Sequence, residues 1–375
     1  MKILFAGGGT GGHILPIVAV ARELRKQAGT QKTEFFYMGP KDDFSDMISS
    51  QEGIRIMRIS AGKVRRDGSF AAISKNILDT FIKTPLGILQ AFFRIFFLAP
   101  DLIFSKGGYG SVPSVLAGWI LRVPIILHES DVMPGVANRV SGKFANDIFI
   151  SFPETPGFPR KKVQQVGNPI REDLLSGSLQ EANRLFSLQG GKPVILIMGG
   201  SQGSQRINDM LVNIAREMLK EYEIIHQTGD KNFQETKKEA EVAIPKELLP
   251  FYHPVPFLKE TDLKHAFSVA DLVVNRAGAG SIFEIAALGK PSILVPLPEA
   301  AQNHQLENAY AYNKAGACIV LEESNLTPHF FLERVHFLIS NKEEYARMSR
   351  AALAFSRPRA AKAIAAYIIE YLSAP

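Results

Sequence analysis

Three glycine-rich runs, each set between an aliphatic segment and an amphipathic one, hold residue types suited to binding anions. Gly7-Gly-Gly-Thr10-Gly11-Gly12 fits G-x-G-x-x-G and places His13 in the first turn of the helix that should follow. Glycines let the backbone turn sharply and offer free N–H groups at a helix amino terminus, where the dipole favours negative charge. That same positive end favours a neutral, base-competent His13; a capping or surface histidine is the alternative. Gly199-Gly200-Ser201-Gln202-Gly203 forms a second cradle, in which Ser201 either contacts a phosphate or caps a helix for about 1 kcal/mol. The third run, Arg276-Ala-Gly-Ala279-Gly280-Ser281, leads into Ile282-Phe283-Glu284. Ser281 and Glu284 have capping-box spacing, but Glu284 could equally accept two hydrogen bonds from a ribose. His128-Glu129 closes a predicted strand, either as a pair inside a site or as a buried, satisfied pair.

A dinucleotide cofactor would need an acidic residue at the end of the second strand. That strand ends Tyr37-Met38-Gly39-Pro40, with Asp42 and Asp43 only beyond the turn, which argues against a nicotinamide cofactor. The chain has no D-x-D, no H-x-x-x-H and no Walker lysine, so neither a metal nor a cofactor is expected. An activated-sugar transferase built from these loops would stabilise its diphosphate leaving group with backbone N–H dipoles.

Short aliphatic runs alternating with helical segments predict an α/β fold with parallel sheets. Ile3–Ala6, Phe35–Met38, Leu102–Ser105, Pro124–Leu127 and Ile148–Ile150 read as strands of one sheet. Val194–Met198, Glu223–His226, Leu272–Asn275, Ser292–Val295 and Cys318–Leu321 read as strands of a second. Phe152–Pro169, with four prolines, suits a connector. The expected domains are 1–160, 161–345, and a final helical stretch, 346–375, returning to the first. The halves echo each other: Asp101–Ser111 and Asp271–Ser281 agree at five of eleven positions, and the Ile3-Leu4 strand with its glycines recurs at Ile195-Leu196.

With 375 residues, 46% of them hydrophobic, the chain can bury a core in each half. Cys318 is the single cysteine, which excludes an intrachain disulfide. The net charge of +6 is too mild for a nucleic-acid-coating protein. It is also uneven: residues 1–150 carry 18 basic and 12 acidic side chains, the remainder 25 of each. Within the same half, Ile77–Phe104 is strongly apolar but interrupted by Asp79, Lys83, Pro85, Gln90, Arg94 and Pro100, which argues against a spanning helix. Its Phe81, Ile82, Phe92 and Phe96 recur at helical intervals among basic residues, suiting either a headgroup-layer helix or a core helix. Phe92→Ser with Phe96→Ser is expected to weaken vesicle binding.

Together, Gly7–His13 with Pro16, Gly107-Gly-Tyr109, Leu127-His-Glu129, Gly167-Asn-Pro-Ile-Arg171, Gly199–Gly203, Glu284-Ile-Ala-Ala287 and His304-Gln305 with Asn308-Ala309 resemble the MurG family of peptidoglycan N-acetylglucosaminyltransferases. The resemblance implies a GT-B architecture, two Rossmann-like parallel-sheet domains facing across a cleft, and an inverting, metal-independent reaction. N-acetylglucosamine would pass from UDP-N-acetylglucosamine to the 4-hydroxyl of the muramyl sugar in undecaprenyl-pyrophosphoryl-MurNAc-pentapeptide. It implies Thr10, Gly11 and Gly12 beside the donor sugar and diphosphate, with His13 or Glu129 as base. Arg171, Ser201 and Gln202 would hold the nucleotide, Leu258 the uracil, Ala279 to Phe283 the phosphates, Glu284 the ribose, and Gln305 or His304 the sugar. Tyr109, Lys63, Arg65, Arg66 and Trp119 would serve the acceptor and an anionic inner-leaflet surface, placing the protein peripherally on the cytoplasmic side of the membrane. Where the family carries Glu-Gln-Asn, this chain has Glu129-Ser130-Asp131, a charge beside a diphosphate. The rival readings are another GT-B enzyme using the same donor, such as an epimerase or lipid glycosyltransferase, and a non-catalytic UDP-sugar-binding subunit.

Overall fold

The computed structural model describes residues 1–8, 11–30, 32–41, 52–63, 76–200 and 203–373. It divides into two compact units: residues 1–170 with 359–375, and residues 171–358.

The first unit holds seven parallel strands: β1 (Lys2–Ala6), β2 (Glu34–Gly39), β3 (Arg55–Arg58), β4 (Leu102–Ser105), β5 (Ile125–Glu129), β6 (Asp147–Ile150) and β7 (Val163–Gln165). Their order is β3-β2-β1-β4-β5-β6-β7. A parallel sheet must be covered on both faces, and the side-chain alternation of β1 shows how. Ile3 and Phe5 meet Ile14, Ile17 and Val20 of α1 (Gly11–Ala28) and Ile364, Ala365 and Ile368 of the final helix. Leu4 and Ala6 face Ala91 and Ile95 of the Thr84–Leu98 helix, with Val115 and Ala117 of the Val112–Ile120 helix. The final helix, Ala360–Ser373, therefore completes the core of the first unit.

The second unit repeats the plan with β8 (Val194–Met198), β9 (Glu223–Gln227), β10 (Tyr252–Val255), β11 (Leu272–Asn275), β12 (Ser292–Leu294) and β13 (Ile319–Val320). All pair in parallel, in the order β10-β9-β8-β11-β12-β13.

Three strands escape the sequence reading, and all three lie at sheet edges. β3 has only Ile56-Met57 between two arginines, β7 reads Val-Gln-Gln, and β10 contains Pro254. Edge strands are short and tolerate charge and proline because one side makes no ladder. β7 also corrects the connector: Val163–Gln165 pairs with β6, so the boundary lies at Ile170 and not near 160. The expected break at 345 falls inside the Lys342–Phe355 helix, which stays with the second unit; the return begins at Arg359.

Candidate active site

In each sheet the strand order reverses between the first strand and the one after the crossover, β1/β4 and β8/β11. Ligands of doubly wound sheets bind outside the carboxyl ends of the strands at that point. The candidate residues gather at these two places.

In the first unit, β1 runs out into Gly7-Gly8, and His13, half-buried, is the third residue of α1. After β4 the chain turns through Gly107 and Gly108, at φ +87° and +79°. A Cβ on Gly107 would stand 2.1 Å from the Asn138 Oδ1, and one on Gly108 would stand 2.5 Å from the Gly8 carbonyl and 3.2 Å from the His13 imidazole. Only glycine fits a turn pressed between His13 on one side and Asn138 on the other.

Asn138 in turn donates from Nδ2 to Glu129 Oε2 at 2.7 Å, and the Asp131 backbone N–H donates to Oε1 at 3.0 Å. Glu129 is only 3% exposed. Burial pushes its carboxyl up to about 7, with the Asp131 charge adding to the effect and the Lys106 charge opposing it. His128, its neighbour on β5, points to the other face and lies 2.9 Å through Nε2 from the Gly167 carbonyl. Burial, then the Lys106 charge, holds it well below the usual histidine range, hence neutral. The two residues are therefore no pair; strand alternation separates them.

Lys106 is the functional candidate that the sequence reading missed. It follows β4 directly, is 1% exposed, and donates through Nζ to Ser130 Oγ, which donates to Asn168 Oδ1 at 2.9 Å. Burial brings its ammonium down to about 8 against the charges of Glu129 and then Asp131. The internal repeat carried the signal, because Lys106 aligns with Arg276.

In the second unit, Gly200 and Gly203 adopt φ +85° and +76°. The cap of the following helix, Gln205–Glu221, is Ser204, whose Oγ accepts from the Ile207 N–H. Arg276 braces this loop, donating to Ser204 Oγ at 2.6 Å and to the Val295 carbonyl at 3.1 Å while pairing with Glu323. Gln227, at the end of β9, ties two parts of the implied nucleotide site together. Its Nε2 donates to the Gly200 carbonyl and its Oε1 accepts from the Leu258 N–H, each at 2.9 Å. Leu258 is 4% exposed and its N–H is already engaged, so its carbonyl is the group left for a base.

The capping box that the spacing of Ser281 and Glu284 left open does not form. Gly278 is the cap of the Ala279–Ala287 helix and makes no side-chain bond, and Ser281 lies two residues inside the helix. Glu284 instead accepts from Arg171 at 3.2 Å, and Arg171 also pairs with Glu260 at 3.4 Å. Burial raises the Glu284 carboxyl and Arg171 opposes that shift. Ile282 and Phe283 are buried, and the Ile282 N–H already donates to the Gly278 carbonyl, so the N–H groups of the first turn, Ala279 to Ser281, are the ones this helix can offer an anion. Ahead of the His304–Lys314 helix, Gln302 and Asn303 both take left-handed φ, 57° and 55°, a costly pair for residues with a Cβ. The Gln305 Oε1 accepts from the Leu297 N–H at 3.0 Å, fixing the strand-end loop against that helix. Tyr109 opens a short turn after the Gly107-Gly108 bend and is half-buried. Lys63 is exposed. Thr10, Arg65, Arg66, Ser201 and Gln202 lie outside the described residues.

Two domain profiles match: the glycosyltransferase family 28 N-terminal domain over residues 3–150 and its C-terminal domain over residues 194–364. The chain is 37% identical over 346 residues to a Clostridium tetani protein named UDP-N-acetylglucosamine--N-acetylmuramyl-(pentapeptide) pyrophosphoryl-undecaprenol N-acetylglucosamine transferase, covering 92% of this chain and 91% of that one. It is 33% identical to the Treponema denticola protein of the same name, covering 99% and 98%. The chain belongs to the MurG family, within glycosyltransferase family 28. Its fold matches the crystal structure of Acinetobacter baumannii MurG at TM-score 0.74, 24% identity and 98% and 99% coverage. It also matches a Neisseria meningitidis UDP-GlcNAc 2-epimerase bound to UDP-GlcNAc, at TM-score 0.69 and 16% identity over 99% of this chain and all of that one. This is the GT-B fold.

This MurG-family chain carries one further feature in its first unit. Asn76–Leu98 forms 23 continuous helical residues whose most apolar window has mean hydropathy 1.4, long and apolar enough to cross a membrane by those measures alone; only 17% of that window is buried. Asp79, which interrupted the apolar run in sequence, is buried and pairs with Lys83 at 2.6 Å, so the helix passes through it. Gly87, Ala91 and Ile95, four apart, form the stripe that meets the core. The rest of the helix leaves Phe81 73% and Phe97 80% exposed, with Ile82 and Phe96 also exposed, and Trp119 of the Val112–Ile120 helix is exposed too. Phe92 departs from expectation: it flanks the buried stripe, packs against the core and stacks on Phe96 at 6.5 Å.

Proposed function

We propose that the chain transfers N-acetylglucosamine from UDP-N-acetylglucosamine to the 4-hydroxyl of the muramyl sugar of undecaprenyl-pyrophosphoryl-MurNAc-pentapeptide, converting lipid I into lipid II. The single observation that carries this is identity of 33–37% over nearly the whole length to transferases of that name. The geometry supplies the chemistry. In the second unit the backbone at Gly200 and Gly203 would take the diphosphate, with Gln227 bracing Gly200 and Arg276 bracing Ser204, and Glu284, steadied by Arg171, takes the ribose hydroxyls. In the first unit His13, the accessible group, takes the proton from the acceptor hydroxyl as that oxygen bonds the anomeric carbon. The bond from that carbon to the phosphate oxygen breaks and UDP leaves with the electron pair. Glu129, enclosed and held by two hydrogen bonds, acts as the carboxylate beside the imidazolium so formed.

The similarity to a 2-epimerase makes that the second reading. An epimerase converts UDP-N-acetylglucosamine with no acceptor, so proton NMR of the sugar nucleotide incubated with this protein alone distinguishes the two. The expected spectrum is unchanged, and appearance of the 2-epimer would replace the transferase reading.

The exposed phenylalanine face, on the half with the excess positive charge, lies on an anionic lipid surface in this reading, which makes the protein peripheral. Each phenyl ring buried in lipid contributes about 1.5–3 kcal/mol. Phe96→Ser with Phe97→Ser is therefore expected to weaken binding to vesicles containing anionic lipid by tenfold or more, with the circular dichroism spectrum unaltered. Unchanged sedimentation would remove the membrane face from the account.

A further inference from the structure

The two halves of the fold carry a cation at the same place, the residue directly after the strand that follows the crossover: Lys106 after β4 and Arg276 after β11. Both are buried, at 1% and 7% exposure. Arg276 spends its donors on Ser204, two backbone carbonyls and Glu323, and so works as a brace. Lys106 sits differently. Its side chain is anchored on Ser130, the charges that face it are Glu129 and Asp131, and the Gly107-Gly108 turn that follows it touches Asn138 and His13. An enclosed ammonium with only one neutral hydrogen-bond partner is costly unless carboxylates compensate it.

We propose that Lys106 is a positioning residue for sugar transfer, opposed by Asp131, that keeps the enclosed Glu129 in its charged form while the site works. This rests on the transferase reading above. In this role Lys106 acts through Glu129, whose negative charge favours the imidazolium that His13 becomes when it accepts the acceptor proton. Asp131, standing where the family has an amide, offsets part of the Lys106 charge and so works against Glu129 ionisation. The two residues should push the site in opposite directions.

Among the described residues, β4 brings Lys106 and the loop after β5 brings Asp131 to act on Glu129, His128 precedes it on β5, and His13 of α1 borders the Gly108 turn. The Val136–Ser141 helix brings neutral Asn138 and Arg139, whose Nε is turned to the Pro134 carbonyl. β6 brings Asp147 only at its far, amino-terminal end.

The test is the pH profile of kcat in parallel with a carboxyl 13C titration of Glu129 on the protein without substrate, its signal assigned by loss in Glu129→Gln. Lys106→Met should move the acid limb of kcat and the Glu129 midpoint upward by about one pH unit or more, the usual effect of removing a close opposite charge. Asp131→Asn should move both downward. Lys106→Arg, which introduces the cation of the matching position, should restore both, and Lys106→Gln, which keeps a donor for Ser130 without charge, should behave as Lys106→Met. A merely structural lysine would change kcat or stability and leave both midpoints in place. Unmoved midpoints, or Lys106→Met and Asp131→Asn moving them in the same direction, overturn the proposal. If the wild-type protein transfers no sugar while the 13C midpoints shift as stated, the transferase reading fails and the charge coupling stands.

Discussion

His13→Ala is expected to lower kcat by about 10²–10⁴-fold, the usual contribution of a positioned general base, while leaving the affinity for UDP within a fewfold of wild type. Access separates the two candidate bases. Glu129 is 3% exposed, with both oxygens held by Asn138 and the Asp131 N–H, so it is poorly placed to meet an incoming hydroxyl. His13 is half-buried in the first turn of α1, and its imidazole borders the Gly108 turn at the carboxyl ends of β1 and β4. Loss of transition-state stabilisation without loss of ground-state binding appears as a fall in kcat and kcat/KM together. Steady-state kinetics with a lipid-linked muramyl acceptor, and calorimetric titration with UDP, separate the two. Unaltered turnover would move the role of base to Glu129.

Glu284→Gln has its largest expected effect on the other half of the reaction, raising the KM for UDP-N-acetylglucosamine by about 10–100-fold with a smaller change in kcat. A hydrogen bond to a charged acceptor contributes about 1.5–3 kcal/mol, and two ribose hydroxyls would meet this carboxylate. The bland role for Glu284, the capping box with Ser281, is absent, because the helix begins at Ala279 with Gly278 as its cap. What steadies the side chain is Arg171, itself shared with Glu260. Binding of UDP measured by calorimetry should weaken by the same factor as KM rises. A stability loss with UDP affinity intact would return Glu284 to a structural role.

Central strands were legible in the sequence because they are buried on both faces and read as unbroken aliphatic runs, such as Val194–Met198 and Leu272–Asn275. The edges were not, since Arg55–Arg58, Val163–Gln165 and Tyr252–Val255 have no continuous apolar signal. Loop chemistry was legible to the extent that glycine dictated it. The Gly107-Gly108 turn, the left-handed Gly200 and Gly203, and His13 at a helix start all follow from local pattern. Long-range partners had no such signature. Gln227 bridging Gly200 and Leu258, Arg171 holding Glu284, and Lys106 enclosed beside Glu129 each depend on strands brought together by the sheet order. The cap of the Gln205–Glu221 helix is Ser204, three residues beyond Ser201, for which capping was one of two open roles; several residues before the helix could cap, and only the path of the turn selects one. The positive charge of the first 150 residues likewise acquires meaning only when the Asn76–Leu98 helix presents its phenylalanines outward from that same unit.

The proposed transfer consumes two substrates and releases one nucleotide. Incubation with UDP-N-acetylglucosamine alone, then with addition of undecaprenyl-pyrophosphoryl-MurNAc-pentapeptide, should release UDP only after the addition, in a one-to-one ratio with a disaccharide-bearing lipid detected by mass spectrometry. UDP release that ignores the lipid acceptor, or an acceptor that stays unglycosylated while the protein is folded and binds UDP, would contradict it.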